Sequence, residues 1–356
     1  MYFDPEPKEK KEDLYNFEEE YKKLHDSIKN RERIIVIKGV RRTGKTSLMK
    51  VVYNELKYPK MFIDGRITPP HQNEIFNILL QYAMAALTES FIDLKLRDMI
   101  KEISFGVGPT FSFSSWTKNF EKIDKILRKR KSKFIIFIDE AQRLKTGNIS
   151  GIITYLFEHT RNTVVILAGS EVGILDSIIG MDAESDLYGR PKKMIELDRL
   201  KKEEAIEFLR YGFSQYQKEI GESDLEKVVE NLDGIIGWLT LFGYYSRTSD
   251  LDRSLKKIKK EAGKITAKEI EHFLQFRKEA KRRYLKLLEA LSTPLRWIEI
   301  KRFLEAQSGK KVNDRIVTKY LHELEKYGLI TKNEEKRYVL ADPMVKEGVL
   351  LLTSRK

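Results

Sequence analysis

Two stretches of this 356-residue chain carry side chains whose types and spacing suit work on a phosphoanhydride. The first, Gly39-Val40-Arg41-Arg42-Thr43-Gly44-Lys45-Thr46-Ser47, fits the pattern GxxxxGK[ST]. Glycines at its ends let the backbone turn left-handed, so that successive N–H groups aim at phosphate oxygens. Lys45 then reaches the outer phosphates as a mobile point charge, and the Thr46 hydroxyl is a ligand for Mg²⁺. The second stretch, Phe134-Ile-Ile-Phe-Ile-Asp139-Glu140, is an apolar run ending in two carboxylates. Asp139 is placed to serve the metal and its water shell, and Glu140 to polarise the water that attacks the terminal phosphate. Such a pair at a buried strand tip is costly unless cations or hydrogen bonds satisfy it. The competing account is an acidic pair opening a helix at Ala141-Gln142; the glycine loop in the same chain favours catalysis.

A third run, Val164-Val-Ile-Leu-Ala-Gly169-Ser170, puts a hydroxyl at another strand tip. Ser170 there suits a sensor of the terminal phosphate, although serine after glycine is also an ordinary turn. Arg41, Arg42, Arg143, Arg161 and Arg190 are candidates for stabilising transition-state charge. Arg190 is preferred, because Gly189-Arg190-Pro191 precedes the strand-like Met194-Ile195-Glu196-Leu197. Whether it would act in its own subunit or a neighbour's stays open.

These groups need a scaffold, and the hydrophobic pattern supplies one. Apolar runs at 34–37, 61–64, 134–138 and 164–168 read as buried parallel strands. Between them lie helical patterns over 13–30, 45–56, 74–88, 120–131 and 149–159. In the 74–88 helix, Ile75, Ile78, Leu79, Tyr82 and Ala86 fall on one face. Residues 103–115 alternate Phe with Gly and Ser and suggest a hairpin or ordered loop. Strands alternating with helices imply an α/β fold with a parallel sheet. After Arg199 the pattern turns all-helical.

Composition narrows the class. There is no cysteine, hence no disulfide framework, thiolate metal site or cysteine nucleophile, and the five histidines lack ligand spacing. No run approaches the roughly 18 apolar residues of a membrane span. A cytoplasmic protein is expected. The net charge of +13 is uneven: residues 251–356 hold 27 Lys and Arg against 15 Asp and Glu, a net of +12. A basic region appended to a neutral one is the footprint of a polyanion partner, or else a solvated lysine-rich surface.

In combination, GVRRTGKTSL, FIIFIDEAQRL, LAGSEVGIL and LYGRPKKMIELDRL resemble the archaeal ATPase family, part of the STAND class of AAA+-like P-loop ATPases. The opening Phe3-Asp4-Pro5-Glu6-Pro7-Lys8 resembles that family's N-terminal segment near the nucleotide base. The resemblance implies ATP as the nucleotide, an ASCE-type sheet, a helical lid and a C-terminal winged helix. It also implies a role for Arg190 through the GR motif. Two departures stand out: Asn16-Phe17-Glu18 where the family usually has Gly-Arg-Glu, and Ile236 where it usually has Pro. The expected domains are 1–199 for the ATPase, 200–277 for the lid and 278–356 for the winged helix.

The last part also reads as a winged helix from its own pattern. Helices over 281–291 and 297–306, an Asn313 cap and a helix to Tyr327 precede a hairpin flanked by Leu329-Ile330 and Tyr338-Val339-Leu340. Arg315, Thr318, Lys319 and His322 share the polar face of the third helix, and Lys332, Lys336 and Arg337 sit on the wing. Double-stranded DNA is the partner these suggest; an internal lid or a protein contact is the alternative. The resulting expectation is a Mg²⁺-dependent ATPase used as a conformational switch. Its alternatives are a DNA-associated motor or loader, oligomeric with a neighbour's arginine completing the site, and a non-catalytic nucleotide-binding module that engages a protein partner.

Overall fold

The computed structural model describes residues 1–69, 71–90, 113–181 and 185–354, without the side chains of 113–116. The sheet comprises β1 (Ile34–Lys38), β2 (Lys60–Asp64), β3 (Phe134–Asp139), β4 (Thr163–Gly169) and β5 (Lys193–Glu196). All are parallel, in the order β2-β3-β4-β1-β5. β4 thus stands between the strand before the glycine loop and the strand ending in Asp139. β1, β3 and β4 are buried at every position because helices cover both faces.

The period-2 alternation sorts the two layers. Ile34, Val36, Ile136, Ile138, Val165 and Leu167 face one cluster, packed by α3 (Gln72–Ser90), α4 (Phe113–Lys129), α5 (Ile149–His159) and α6 (Val172–Ile179). Ile35, Ile37, Ile135, Phe137, Val164 and Ile166 face the other, packed by α1 (Glu18–Lys29) and α2 (Lys45–Glu55). The register aligns Asp64 with Asp139 and Lys38 with Gly169, so the chemistry-bearing tips emerge along one edge. In open parallel sheets that edge is where ligands bind.

Some elements differ from the sequence reading. α1 starts at Glu18, because Asn16 adopts a left-handed conformation (φ 58°) and only a 3-10 turn, Lys11–Asp13, precedes it. On α3 the buried stripe centres on Phe76, Leu80, Ala83 and Leu87, which leaves Tyr82 at its edge and 52% exposed. α4 begins at Phe113 rather than near Phe120, and the hairpin expected over 103–115 lies outside the described residues up to 112.

The lid is α7 (Lys202–Ser214), α8 (Glu222–Leu232), α9 (Ile236–Ser246) and the long α10 (Leu251–Leu274). Phe208, Phe213, Trp238, Phe242 and Ile258 form its core, and Phe3 from the opening segment is buried among them. The winged helix follows as α11 (Lys281–Ala290), α12 (Trp297–Ser308), α13 (Asp314–Lys326), β6 (Ile330–Lys332), β7 (Tyr338–Leu340) and α14 (Met344–Thr353). Asn313 caps α13, its side chain accepting from the Arg315 N–H at 2.9 Å. The core of this part includes Ile270, Phe273 and Leu274 of α10. α14 lies against α10, where the Thr266 hydroxyl donates to the Met344 carbonyl at 2.7 Å. The long helix therefore belongs to two cores at once.

Candidate nucleotide site

The loop after β1 is shaped by left-handed residues: Gly39, Arg42 and Gly44 have φ of 156°, 66° and 93°. At Gly44, the N-cap of α2, a Cβ would stand 2.8 Å from the Phe17 ring, so the loop is walled on that side by an aromatic side chain. The Thr43 hydroxyl donates to the Val40 carbonyl at 2.9 Å and ties the loop across itself. The Lys45 ammonium donates to the Gly39 and Val40 carbonyls at 2.8 and 2.6 Å. Burial lowers its pKa to about 8, with Glu140 and Asp139 resisting the shift.

Thr46 joins the two motifs: its hydroxyl donates to Asp139 Oδ2 at 2.7 Å. Asp139 is 1% exposed, and burial raises its pKa, opposed by the bond from Thr46. A buried carboxylate beside a hydroxyl is a set of hard oxygen donors. It fits Mg²⁺, which takes its other ligands from phosphate and water.

Glu140 follows in a left-handed conformation, with φ 50° and ψ 43°. Its carboxylate accepts from the Ser170 hydroxyl at 3.2 Å and from the Gln142 side-chain amide. Above these groups opens a cavity of about 510 Å³. Its far wall is the N-terminal segment, fixed where the Lys8 N–H donates to Ser47 Oγ at 3.0 Å. Ile236 and Trp238 of the lid close another side.

The loop's arginines reach out of the sheet domain. Arg41 lies 3.1 Å from Glu171 and 3.6 Å from Glu269 of α10, and donates to the Tyr327 carbonyl at 3.3 Å. Arg42 pairs with Glu269 at 3.4 Å, and its guanidinium lies 4.1 Å over the Trp238 ring. The Arg42 carbonyl accepts from the Gly237 N–H at 3.0 Å. Arg143 is 3.7 Å from Glu171 and 3.4 Å from His272 Nε2. Glu171 is 4% exposed; burial raises its pKa while Arg41 and Arg143 pull it down. The end of α13 sits against the same corner, for a Cβ on Gly173 would stand 2.6 Å from Lys326 Cα.

The structure thus brings Lys45, Thr46, Asp139, Glu140 and Ser170 together, with Arg41, Arg42, Arg143 and also Arg66 around the cavity. Arg190 is elsewhere. It pairs with Glu158 and lines a second cavity of about 770 Å³ beside α5, so within one chain it does not meet the cavity above Lys45 and Glu140. Arg161 precedes β4, at the opposite end of the sheet from the site. Sequence reasoning passed over Gln142, Glu171 and Glu269. The first two stand one or two positions from motif residues, which was a usable signal; Glu269 had none.

In the winged helix, Arg315, Thr318, Lys319 and His322 are exposed on α13. The wing's charges are partly answered: Lys332 lies 3.9 Å from Glu325 and Arg337 3.0 Å from Glu335, while Lys336 occupies the turn with φ 59°. Among the described residues no helix is long and apolar enough to cross a membrane.

Comparison with known proteins agrees with this architecture. Residues 278–341 match the C-terminal winged helix-turn-helix domain of MCM proteins. A Walker-type ATPase of Pyrococcus abyssi shares 28% identity and a TM-score of 0.76, over 98% of this chain and 100% of that one. The ORC2 protein of Aeropyrum pernix, in its ADPNP–ADP complexes, shares the fold at 13% identity, with a TM-score of 0.58 over 100% of this chain and 98% of that one. No curated protein matches the chain. Residues 14–242, the whole sheet and most of the first three lid helices, match an ATPase domain found predominantly in Archaea, and the chain belongs to that family.

Proposed function

We propose that the protein is a Mg²⁺-dependent ATPase of the STAND type, whose nucleotide state sets how the lid and winged helix sit on the sheet. One observation carries this reading: Arg41, inside the phosphate loop, holds Glu171, Glu269 of the lid and the Tyr327 carbonyl of the winged helix together. The loop N–H groups and Lys45 bind the phosphates, and Thr46 and Asp139 hold the metal, which when bound neutralises phosphate charge. Glu140 orients the attacking water and takes its proton. A triphosphate competes with Glu171 and Glu269 for Arg41 and Arg42. The lid helix and the end of α13 lose partners as those arginines turn to phosphate, and hydrolysis returns them.

The test is steady-state ATP hydrolysis together with hydrogen exchange over 263–275 and 323–330, comparing Glu140→Gln with ATP against wild type with ADP. Slow turnover and faster exchange of both segments with ATP are expected. Equal exchange in the two states would sink the switch.

A second reading, contact with double-stranded DNA, is favoured by the net +12 of residues 251–356 and by the exposed polar face of α13. The match to an MCM winged helix supports it. It predicts turnover stimulated by DNA, fading with salt. If turnover also rises with protein concentration, Arg190 is the candidate donated to a neighbour's site.

A further inference from the structure

Glu140 has less freedom than its place at a strand tip suggests. Beyond its left-handed backbone, two donors hold its carboxylate. One is Ser170, already considered as a phosphate sensor. The other is Gln142, whose side chain turns back over two residues so that its amide N–H donates to Glu140 Oε2. An ionised carboxylate only accepts hydrogen bonds, so the NH₂ end of Gln142 must face it. That orientation has a cost. Gln142 Oε1 is buried and has no hydrogen-bond partner among the described residues. It also presses on β4, where a Cβ built on Gly169 would stand 2.4 Å from it. A buried carbonyl left without a partner is unfavourable, and only a glycine beneath it leaves room for it. The favourable contact of this side chain is therefore the one its amide N–H makes with Glu140.

We propose that Gln142 is a positioning residue for hydrolysis, and that Gly169 provides the space it needs. Gln142 and Ser170 together fix the Glu140 carboxylate toward the phosphate end of the cavity, so that its free lone pairs meet the attacking water. This rests on the reading above in which Glu140 activates water. Gln142 touches no reacting atom; it acts only through Glu140.

The experiment uses the full chain and four variants: Gln142→Met, Gly169→Ala, Glu140→Gln and the double variant Glu140→Gln/Gln142→Met. Methionine keeps the length of the side chain without the donor. Steady-state ATP hydrolysis gives kcat and KM, and titration with a fluorescent ADP gives nucleotide affinity. The expected result for Gln142→Met is kcat lower by about 10-fold or more, with KM and ADP affinity within about 2-fold. Gly169→Ala, which pushes Gln142 aside from the opposite direction, shows the same split. The double variant is no slower than Glu140→Gln alone, because a residue acting through Glu140 has nothing left to position. Thermal melting of Gln142→Met is no lower than wild type, since the orphaned carbonyl is gone. The inference is overturned if Gln142→Met keeps wild-type kcat, or if it slows the Glu140→Gln background by the factor it shows alone. In either case a strong loss in Glu140→Gln itself leaves the assignment of Glu140 standing. Wild-type turnover by Glu140→Gln overturns both.

Discussion

The cavity end of the sheet and the winged helix are both rich in charge, and they hold it in opposite ways. At the sheet, Lys45, Asp139 and Glu171 are each no more than 5% exposed. Each has a named partner and a pKa moved by burial. In the winged helix the cations on the α13 face and at the tip of the wing, Arg315, Lys319, Lys332 and Lys336, are exposed, and Lys332 comes no closer than 3.9 Å to Glu325. Buried charge must be fixed in one geometry, because desolvation is repaid only by specific partners. Surface charge is screened and sums to a field. The first arrangement makes a site and the second an attraction.

That contrast can be broken at several points, beginning with the largest effect. Glu140→Gln removes the group proposed to take a proton, and turnover is expected to fall by about 100-fold or more while ATP affinity is kept; a hydrolysis assay beside an equilibrium titration checks it. Lys45→Met is expected to abolish tight nucleotide binding yet stabilise the free protein at pH 7 by on the order of 1–3 kcal/mol. The sign follows from linkage. With the folded pKa lowered to about 8, the unfolded chain binds the extra proton between pH 8 and the ordinary lysine value, so wild-type stability rises across that window. The advantage of the variant should shrink over the same range in urea melts, and a destabilised Lys45→Met at pH 7 would contradict the account.

Trp238→Phe tests the seam between the lid, which closes one side of the cavity, and the winged helix. The indole N–H donates to both Asp342 oxygens, at 3.0 and 2.9 Å, and its loss should cost about 1–3 kcal/mol. Burial raises the pKa of Asp342, so its contribution is full at acid pH and is lost as pH rises through the folded value. Asp342→Asn keeps an acceptor for Trp238 and for the Met344 N–H; its stability should therefore fall less between acid and neutral pH than that of wild type. The smallest effect belongs to the wing. Lys332→Ala with Lys336→Ala should leave stability within about 0.5 kcal/mol, while the salt dependence of any DNA binding becomes shallower.

The same contrast explains what could be read beforehand. The buried strands announced themselves as apolar runs, and the glycine loop and the Asp139-Glu140 tip as short local motifs. The winged-helix order was readable because each of its helices has a clean stripe and Asn313 marks a start. What escaped was tertiary. Arg41 meets Tyr327 across 286 positions, and nothing local in Glu269 foretells two arginines. Arg190 drew attention through its loop and the family's motif, but the turn after α6 delivers it to Glu158. Tyr82 falls outside the buried stripe because Phe76, Leu80, Ala83 and Leu87, absent from the five residues read as one face, set its centre. Phe3, read as part of a segment near the nucleotide, is buried to 0% in the lid.

That ring carries one more consequence. Gly212 on α7 and Gly243 on α9 flank it so closely that a Cβ on either would stand 2.2 or 2.3 Å from its atoms. Neither glycine can gain a methyl while the phenylalanine stays, and a smaller residue at position 3 would leave a hole between two helices. The three positions are bound to one another across evolutionary time. Among descendants of this sequence they should change together or not at all, and a lineage that loses the aromatic should be the one in which both glycines are free to drift.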